Sequence, residues 1–386
     1  MTTSNYTPTS SMRVVHIGNY KPDSPNGVDK TIAGLVRHLP AHGIDTEVWH
    51  PTHRTETVRE RKEDGITICD IPVSRIGKGL CFLSREAKRF ASDRASSVEI
   101  LHFHSVFMRE NLQLAKLGIP YVVTPNGGYD KLVLKGRNRL GKAIWFKLWE
   151  RSYLRKARMI HAVSLPEREA IANLQLDVPV RYIPNGIDDE IFDRKAEAPL
   201  RQSDLLYLGR LALDQKGLDL LLKGYAKARA KMPEMPRLVM AGPDFRGGRA
   251  ELTAMARSLD IADRVVFVGP VYGEEKWRLL SQAKLFIHVS RWEGMPFALL
   301  EAMAIGRPVL ITPGTNLAEE VSAAGAGVIV DGNIDAIAEG LRRAASLSDN
   351  SLDDMGLCAR QLSKTKFSWP KVVGELCSEY RAIAAH

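Results

Sequence analysis

The residues best suited to chemistry run from Ser290 to Glu301, Ser-Arg-Trp-Glu-Gly-Met-Pro-Phe-Ala-Leu-Leu-Glu. They follow an apolar run that ends at Val289 and lead into a short apolar helix closed by Gly306. Pro296 suits the first helical turn, where its missing N–H costs nothing. The backbone N–H groups around Gly294 to Phe297, with Met295 and Pro296 between them, then point out of the helix N-terminus, which attracts anions such as a diphosphate. Glu301 falls about a turn further in, on a helix otherwise too apolar to welcome it. A buried carboxylate needs partners, and sugar or ribose hydroxyls are good ones because each donates a hydrogen bond. The bland alternative is an ordinary strand-to-helix turn with Glu293 as a solvent-facing cap.

A second constellation is Leu208-Gly209-Arg210-Leu-Ala-Leu-Asp-Gln-Lys216-Gly217. Arg210 and Lys216 stand where a strand's carboxyl end opens into a loop, so both could grip phosphate oxygens. Two cations beside a helix N-terminus suit a leaving diphosphate. An isolated Arg/Lys pair on a surface would carry no such meaning.

These residues need a scaffold, and the hydrophobic periodicity supplies one. Val14 to Ile17 is followed by a Gly/Pro/Asn loop and then by Ile32, Leu35, Val36 and Leu39 at helical spacing. Further strand candidates are Thr46 to His50, Ile66 to Val73, Ile100 to His104, Tyr121 to Thr124, Met159 to Val163 and Val180 to Ile183. Asp188 to Ser203 turns polar and reads as a linker. A second series then runs through Leu205 to Leu208, Leu238 to Ala241, Val265 to Val268, Leu285 to Val289, Val309 to Thr312 and Val328 to Val330. Short β-rich runs alternating with helices imply parallel sheets covered on both faces, so the fold class is α/β with two doubly wound units in tandem. A chain of 386 residues exceeds what one core organises, which fits two domains of under about 200 residues. Ligands of such sheets sit beyond the carboxyl ends of the strands, which places the expected site in a cleft between the domains.

Taken together with Pro184-Asn185-Gly186-Ile187-Asp188, the Glu293 to Glu301 segment and the Gly-Arg-Leu to Lys-Gly segment resemble the retaining glycosyltransferases of family 4. The resemblance spans nearly the whole chain, with specific motifs in the second half and looser ones in the first. It implies a GT-B fold, in which two Rossmann-like domains face each other across a cleft. The acceptor-binding domain would cover 12–190, completed by a C-terminal helix at 367–386 that crosses back, and the nucleotide-sugar domain 200–366. It also implies that Arg210 and Lys216 bind the donor diphosphate and Glu301 the ribose hydroxyls. Glu293 and the Gly294 to Phe297 backbone would hold the transferred sugar, and Val268-Gly269-Pro270-Val271 would line the base pocket. A retaining, metal-independent hexosyltransferase follows from the resemblance, using a UDP- or GDP-linked donor, no cofactor, and a glycan or lipid-linked acceptor of cell-surface polysaccharide or lipopolysaccharide synthesis.

The first half adds Gly18 and the loop Pro25-Asn26-Gly27-Val28, where Gly27 would let backbone approach the donor phosphate or the transferred sugar. Family members usually carry two adjacent glycines here, and this chain has Asn26-Gly27. In Thr124-Pro125-Asn126-Gly127-Gly128, Asn126 stands where many relatives place a histidine beside the reacting sugar. An amide hydrogen-bonds a hydroxyl but is no general base near neutral pH. His102 and His104 alternate to one face of the same strand, with no Asp, Glu or Cys near enough in sequence to complete a metal site. His104 reads as a strand-end residue on the acceptor side, His161 as a core or hinge residue, and the metal set as none.

Composition narrows the alternatives. No apolar stretch reaches roughly 18 residues, so no spanning helix is expected. The polar, Ser/Thr-rich Met1 to Ser11 lacks the pattern of a secretory signal, and Cys69, Cys81, Cys358 and Cys377 form no CxxC pair, which fits a cytoplasmic protein with reduced thiols. Neither the Gly-x-Gly-x-x-Gly turn of a dehydrogenase nor the P-loop of an ATPase occurs. A sugar-nucleotide epimerase shares the architecture but gives no reason for the Glu293/Glu301 spacing. The rival from another class is a catalytically silent donor-binding or scaffold protein of a polysaccharide assembly complex. The net charge of +9 is concentrated between Lys131 and Arg158, where ten Lys/Arg face the single acid Glu150. Trp145, Phe146, Trp149 and Tyr153 interleave with these cations, and Ile144, Leu148 and Leu154 supply an apolar strip. That composition fits peripheral contact with an anionic membrane at the inner face of the plasma membrane, rather than nucleic acid; a solvated face over a buried strip is the plainer alternative.

Overall fold

The computed structural model describes residues 12–76, 80–129, 139–194 and 204–385, and the chain divides into two compact units. The first comprises Met1–Val163, Arg168–Ile183 and Pro370–His386; the second comprises Ser164–Glu167 and Pro184–Trp369. The first unit is therefore discontinuous in sequence.

Its sheet contains β1 (Met12–Ile17), β2 (Ile44–Thr52), β3 (Arg59–Glu63), β4 (Ile66–Ile76), β5 (Leu80–Leu83), β6 (Ile100–His104), β7 (Tyr121–Thr124), β8 (Met159–Ala162) and β9 (Val180–Tyr182). The order is β3-β4-β2-β1-β6-β7-β8-β9, with β5 beside β4. All pairs are parallel except β3 and β5, which run antiparallel to β4. These two strands escape the periodicity reading for a physical reason. β3 is Arg-Glu-Arg-Lys-Glu, an exposed edge whose charges discourage further pairing and leave no apolar alternation to detect. β6 and β7, by contrast, are buried at every position, as strands covered on both faces must be.

The second unit holds β10 (Leu205–Leu208), β11 (Leu238–Ala241), β12 (Val265–Gly269), β13 (Leu285–His288), β14 (Val309–Ile311) and β15 (Gly327–Ile329), ordered β12-β11-β10-β13-β14-β15 and parallel throughout. Helix Leu218–Lys231 buries Leu218, Leu221, Leu222 and Tyr225 against this sheet, the stripe its 3.6-residue period dictates. From β10 the chain winds outward to β12, then returns to β13 and winds the other way. The β10/β13 boundary is thus a topological switch point, where the loops leaving two neighbouring strands diverge and open a crevice. In the first unit the corresponding boundary lies between β1 and β6.

The expected linker at 188–203 is replaced at its start by ordered chain. Asp189–Asp193 form a 3-10 turn that buries Phe192, and residues 195–203 lie outside the described residues. The segment Pro184 to Asp188 is also built into the second unit: Ile187 bridges Ser368, and a Cβ at Gly186 would come within 2.3 Å of the Trp369 ring. Among the described residues, no helix is long and apolar enough to cross a membrane.

Candidate active site

The β10/β13 switch point brings Arg210, Lys216 and Glu293 together. After β10, Gly209-Arg210 leads into the single helical turn Leu213–Lys216, which Gly217 ends in the left-handed conformation at φ 63°. A Cβ on Gly217 would lie 2.3 Å from the Val289 carbonyl oxygen, so only glycine lets this turn press against the end of β13. That approach delivers the Lys216 ammonium to Glu293, which leaves β13 five residues after His288.

Glu293 is buried and its Oε1 collects three donors: Lys216 Nζ, Ser290 Oγ at 2.6 Å and His288 Nε2 at 3.0 Å. Its other oxygen, Oε2, has among the described residues only a marginal contact with Gln215 Nε2 at 3.5 Å. Burial pushes the carboxyl pKa up, but the Lys216 charge and the His288 hydrogen bond outweigh it and hold the group at about 2. Glu293 is therefore an ionised, oriented carboxylate, not the solvent-facing cap of the bland alternative. Arg210 reaches the same cluster through Gln215 Oε1 at 3.3 Å and lies over the Phe245 ring at 5.1 Å. Among the described residues it pairs with no carboxylate, so its charge remains to meet an anion.

The loop from Ser290 to Pro296 is braced from three sides. Arg291 forms a two-pronged pair with Asp219 at 2.7 and 2.8 Å, and Asn316 Nδ2 donates to the Glu293 carbonyl at 2.6 Å. Thr312 Oγ1 donates to the Ser290 carbonyl at 2.7 Å, and a Cβ on Gly314 would sit 2.2 Å from that same oxygen. Met295 is buried, with its sulfur 3.1 Å from the Asn185 backbone nitrogen. Pro296 precedes the first turn instead of occupying it: it is the N-cap of helix Phe297–Ala304, with extended backbone. Gly294 and Phe297 remain half-buried on either side. Glu301 is buried in that helix, and its partner is an ammonium, Lys276 Nζ at 3.1 Å, which also lies 4.1 Å from the centre of the Trp277 ring. Val271 is buried beyond β12, while Val268 is exposed.

A buried anion fixed by a cation and two neutral donors, next to a guanidinium and a helix N-terminus, can orient hydroxyls and neutralise a diphosphate. Two family models match the chain, Glycosyltransferase Family 4 over residues 25–191 and Glycosyl transferases group 1 over residues 188–361. The chain belongs to the family 4 glycosyltransferases. The GDP-mannose:cellobiosyl-diphosphopolyprenol alpha-mannosyltransferase of Xanthomonas campestris is 29% identical, over 96% of this chain and 97% of its own length. The protein of the same description from Komagataeibacter xylinus is 26% identical over 97% of this chain and 94% of its own. Among solved structures, sucrose-phosphate synthase from Thermosynechococcus elongatus superposes with a TM-score of 0.75 at 18% identity, covering 97% of this chain and 99% of that one. An α,α-trehalose-phosphate synthase from Burkholderia xenovorans gives 0.75 at 12% identity, with 96% and 100% covered. This glycosyltransferase accordingly has the GT-B fold class, with two doubly wound α/β units.

In its first unit the residues singled out from the sequence are more tightly engaged than their motifs imply. Asn26, in place of a second glycine, is the N-cap of helix Gly27–His38: its Oδ1 accepts from Val28 N at 3.2 Å and its Nδ2 donates to Asp29. Gly27 opens that helix. Asn126 adopts the left-handed region at φ 54°, which asparagine tolerates, and its Nδ2 donates to the Thr124 carbonyl at 3.2 Å. His104 is buried and pairs with His16 of β1 at 3.0 Å, a partner 88 positions away that no local spacing reveals. One ring nitrogen each from His16, His102 and His104 lie within 4.8 Å, a spacing open to a metal ion. Both nitrogens of His102 are already engaged, however, and the group reads as a hydrogen-bond array.

The direction of that array follows from donor arithmetic. The Ile183 carbonyl only accepts, so His161 Nε2, 2.7 Å away, carries a hydrogen. Burial lowers the His161 pKa to about 4, which leaves Nδ1 as an acceptor for the Thr124 hydroxyl at 2.9 Å. Thr124 then accepts from His102 Nε2 at 2.6 Å, and His102 Nδ1 accepts from the Tyr380 hydroxyl at 2.5 Å. The array pins Ile183, the last residue before the chain leaves the unit, and Tyr380 of helix Trp369–Ala384, by which it returns.

Proposed function

We propose that this glycosyltransferase moves a hexose from a nucleotide diphosphate sugar, UDP- or GDP-linked, to a glycan or lipid-linked acceptor. The setting would be bacterial-type cell-surface polysaccharide or lipopolysaccharide synthesis. The observation that carries the reading is the Arg210–Lys216–Glu293 cluster at the β10/β13 switch point. Arg210 and Lys216 meet the diphosphate and stabilise the charge that builds on it as the sugar leaves, the largest electrostatic demand of the reaction. Two side-chain cations make a metal ion unnecessary for that task, so transfer would proceed in a chelator. Glu293 keeps Oε2 available to hydroxyls of the transferred sugar, and Glu301 with Lys276 takes the ribose. The reaction would retain anomeric configuration by same-face attack, with the leaving phosphate accepting the acceptor's proton, because Asn126 cannot serve as a base. The mannosyltransferase relatives make GDP-mannose the first donor to try and a polyprenyl-diphosphate oligosaccharide the first acceptor. Thermal shift against a panel of UDP-, GDP- and ADP-sugars tests the donor, since a ligand of the native state alone raises its stability. Stabilisation by none of them would defeat the reading.

The same reading includes a peripheral site on the cytoplasmic face of a membrane. The candidate segment begins at Lys131; residues 130–138 lie outside the described residues. From Arg139 the chain is helical, with a π-type turn at Phe146–Glu150. Leu140, Ile144 and Leu148, four apart, are 74%, 57% and 57% exposed, with Trp149 beside them. Arg139, Lys147 and Arg155 are exposed around this strip. The one acid, Glu150, is turned inward, where Phe107 N, Tyr129 Oη and Trp145 Nε1 donate to it at 3.0, 3.0 and 2.6 Å. Phe146, Tyr153 and Leu154 likewise point inward to the core. The outer face is left apolar and cationic, the composition that anionic lipid attracts. Salt-sensitive sedimentation with anionic but not neutral vesicles supports this contact, and equal failure with both defeats it.

A further inference from the structure

His288 is absent from every motif named above, yet it touches the centre of the site. It is the last residue of β13, fully enclosed, and its ring stacks on Tyr207 of β10 with centroids 5.9 Å apart and on Phe286 at 6.1 Å. Its Nε2 lies 3.0 Å from Glu293 Oε1. An ionised carboxylate only accepts, so the hydrogen is on Nε2. Burial and the nearby Lys216 ammonium lower the His288 pKa, so Nδ1 carries no hydrogen, and that nitrogen has no partner among the described residues. A buried acceptor left unpaired is a standing cost that an aliphatic residue of similar size would not incur. What the imidazole adds at this position is the bond to Glu293.

We propose that His288 is a positioning residue for sugar transfer: its Nε2–H, together with Ser290 and Lys216, locks Glu293 by Oε1 and thereby presents Oε2 to the donor sugar. This rests on the functional reading above and deepens it. The geometry gives His288 a second link. Tyr207, on which it stacks, donates its hydroxyl to the Arg210 carbonyl at 2.8 Å, and a Cβ on Gly209 would meet that hydroxyl at 2.8 Å. The rings of His288 and Tyr207 therefore tie together the two loops that carry Glu293 and Arg210, across the boundary between neighbouring strands β13 and β10. A neutral donor suits the task because it orients Glu293 without adding a charge. The carboxylate then balances Lys216, and Arg210 stays in excess for the diphosphate.

The test compares wild type with His288→Gln, whose amide places an N–H near the Nε2 position, and His288→Leu, which fills space without donating. Steady-state transfer from the nucleotide sugar that stabilises wild type should show kcat reduced roughly 10- to 100-fold in the leucine variant, the worth of one charge-assisted bond, with donor KM within about threefold. The glutamine variant should recover to within about fivefold of wild type, a rescue that a purely space-filling role does not give. Both variants should keep the wild-type thermal shift with the free nucleoside diphosphate, which shows that they fold. Equal impairment of the two variants, or an unimpaired leucine variant, overturns the proposal. A wild type without turnover on any nucleotide sugar would instead overturn the functional reading. In that event, nitrogen NMR of histidine-labelled protein, assigned by the signal lost in His288→Gln, still decides the local claim. It should show a neutral ring with hydrogen on Nε2, and a ring protonated on Nδ1 refutes it.

Discussion

Acidification should unfold the first unit well before the second, and the histidine array sets the size of the effect. His16 and His161 are held by burial at about 3 and about 4, and burial lowers His102 and His104 well below their ordinary range. A histidine in the unfolded chain titrates near 6.5. Between that value and the folded pKa the unfolded chain binds a proton that the folded chain refuses, so this stability is complete above pH 6.5 and declines as pH falls. At pH 5.5 His16 and His161 each cost about 1.4 kcal/mol, or about 3 kcal/mol together, and His102 and His104 add to the loss in the same direction. A domain is stable by only about 5–15 kcal/mol in total. The second unit has His288 as a single buried counterpart, while Glu293, at about 2, stays ionised throughout this range. Urea unfolding at pH 7.5 and 5.5 measures the loss, with hydrogen exchange in β1, β6 and β8 assigning the transition to the first unit. His161→Gln, which cannot titrate, should remove about one proton from the pH slope of its own background. A first unit that loses less than about 1 kcal/mol between these pH values would refute the claim that the four rings are buried and neutral.

Gly217→Ala should destabilise the second unit by about 2 kcal/mol or more and weaken nucleotide binding, because its φ of 63° and the 2.3 Å approach to Val289 both exclude a Cβ; wild-type unfolding midpoints would contradict this. Arg210→Ala and Lys216→Ala should each lower turnover by on the order of 100-fold and donor affinity by much less. Equal losses in both would assign the two cations to uniform binding. Glu301→Gln should weaken nucleoside diphosphate binding about tenfold by calorimetry, the worth of a hydrogen bond to a charged group, and an unchanged affinity would remove Glu301 from the ribose.

Local spacing revealed those parts of the molecule that local spacing builds. The apolar runs at Ile100 to His104 and Leu205 to Leu208 became central strands because burial on both faces demands uninterrupted apolar residues. Arg210, Lys216 and Glu293 stood at strand ends, and parallel topology then brought two such ends together. What stayed hidden depends on contacts across strands. His288 sits inside a strand-like run and betrays nothing of its bond to Glu293, and Lys276 lies 25 positions before the carboxylate it pairs with. His16 meets His104 only because β1 and β6 are neighbours in the sheet, although β6 follows four other strands in sequence. The charged edge β3 carries no periodicity to read. One signal was available for the hydrophilic loops: Asn26, three residues before Asp29 and ahead of an apolar helix, has the form of an N-cap.

In the proposed function the Arg210–Lys216–Glu293 cluster drives sugar transfer without a metal ion and with retained configuration. Proton NMR of the anomeric signal tests it most directly, following product formed from an α-linked nucleotide sugar and its acceptor in excess chelator. The product should be α-linked and should form at a rate unchanged by the chelator. A β-linked product, or turnover that returns only when a divalent cation is added, would contradict it.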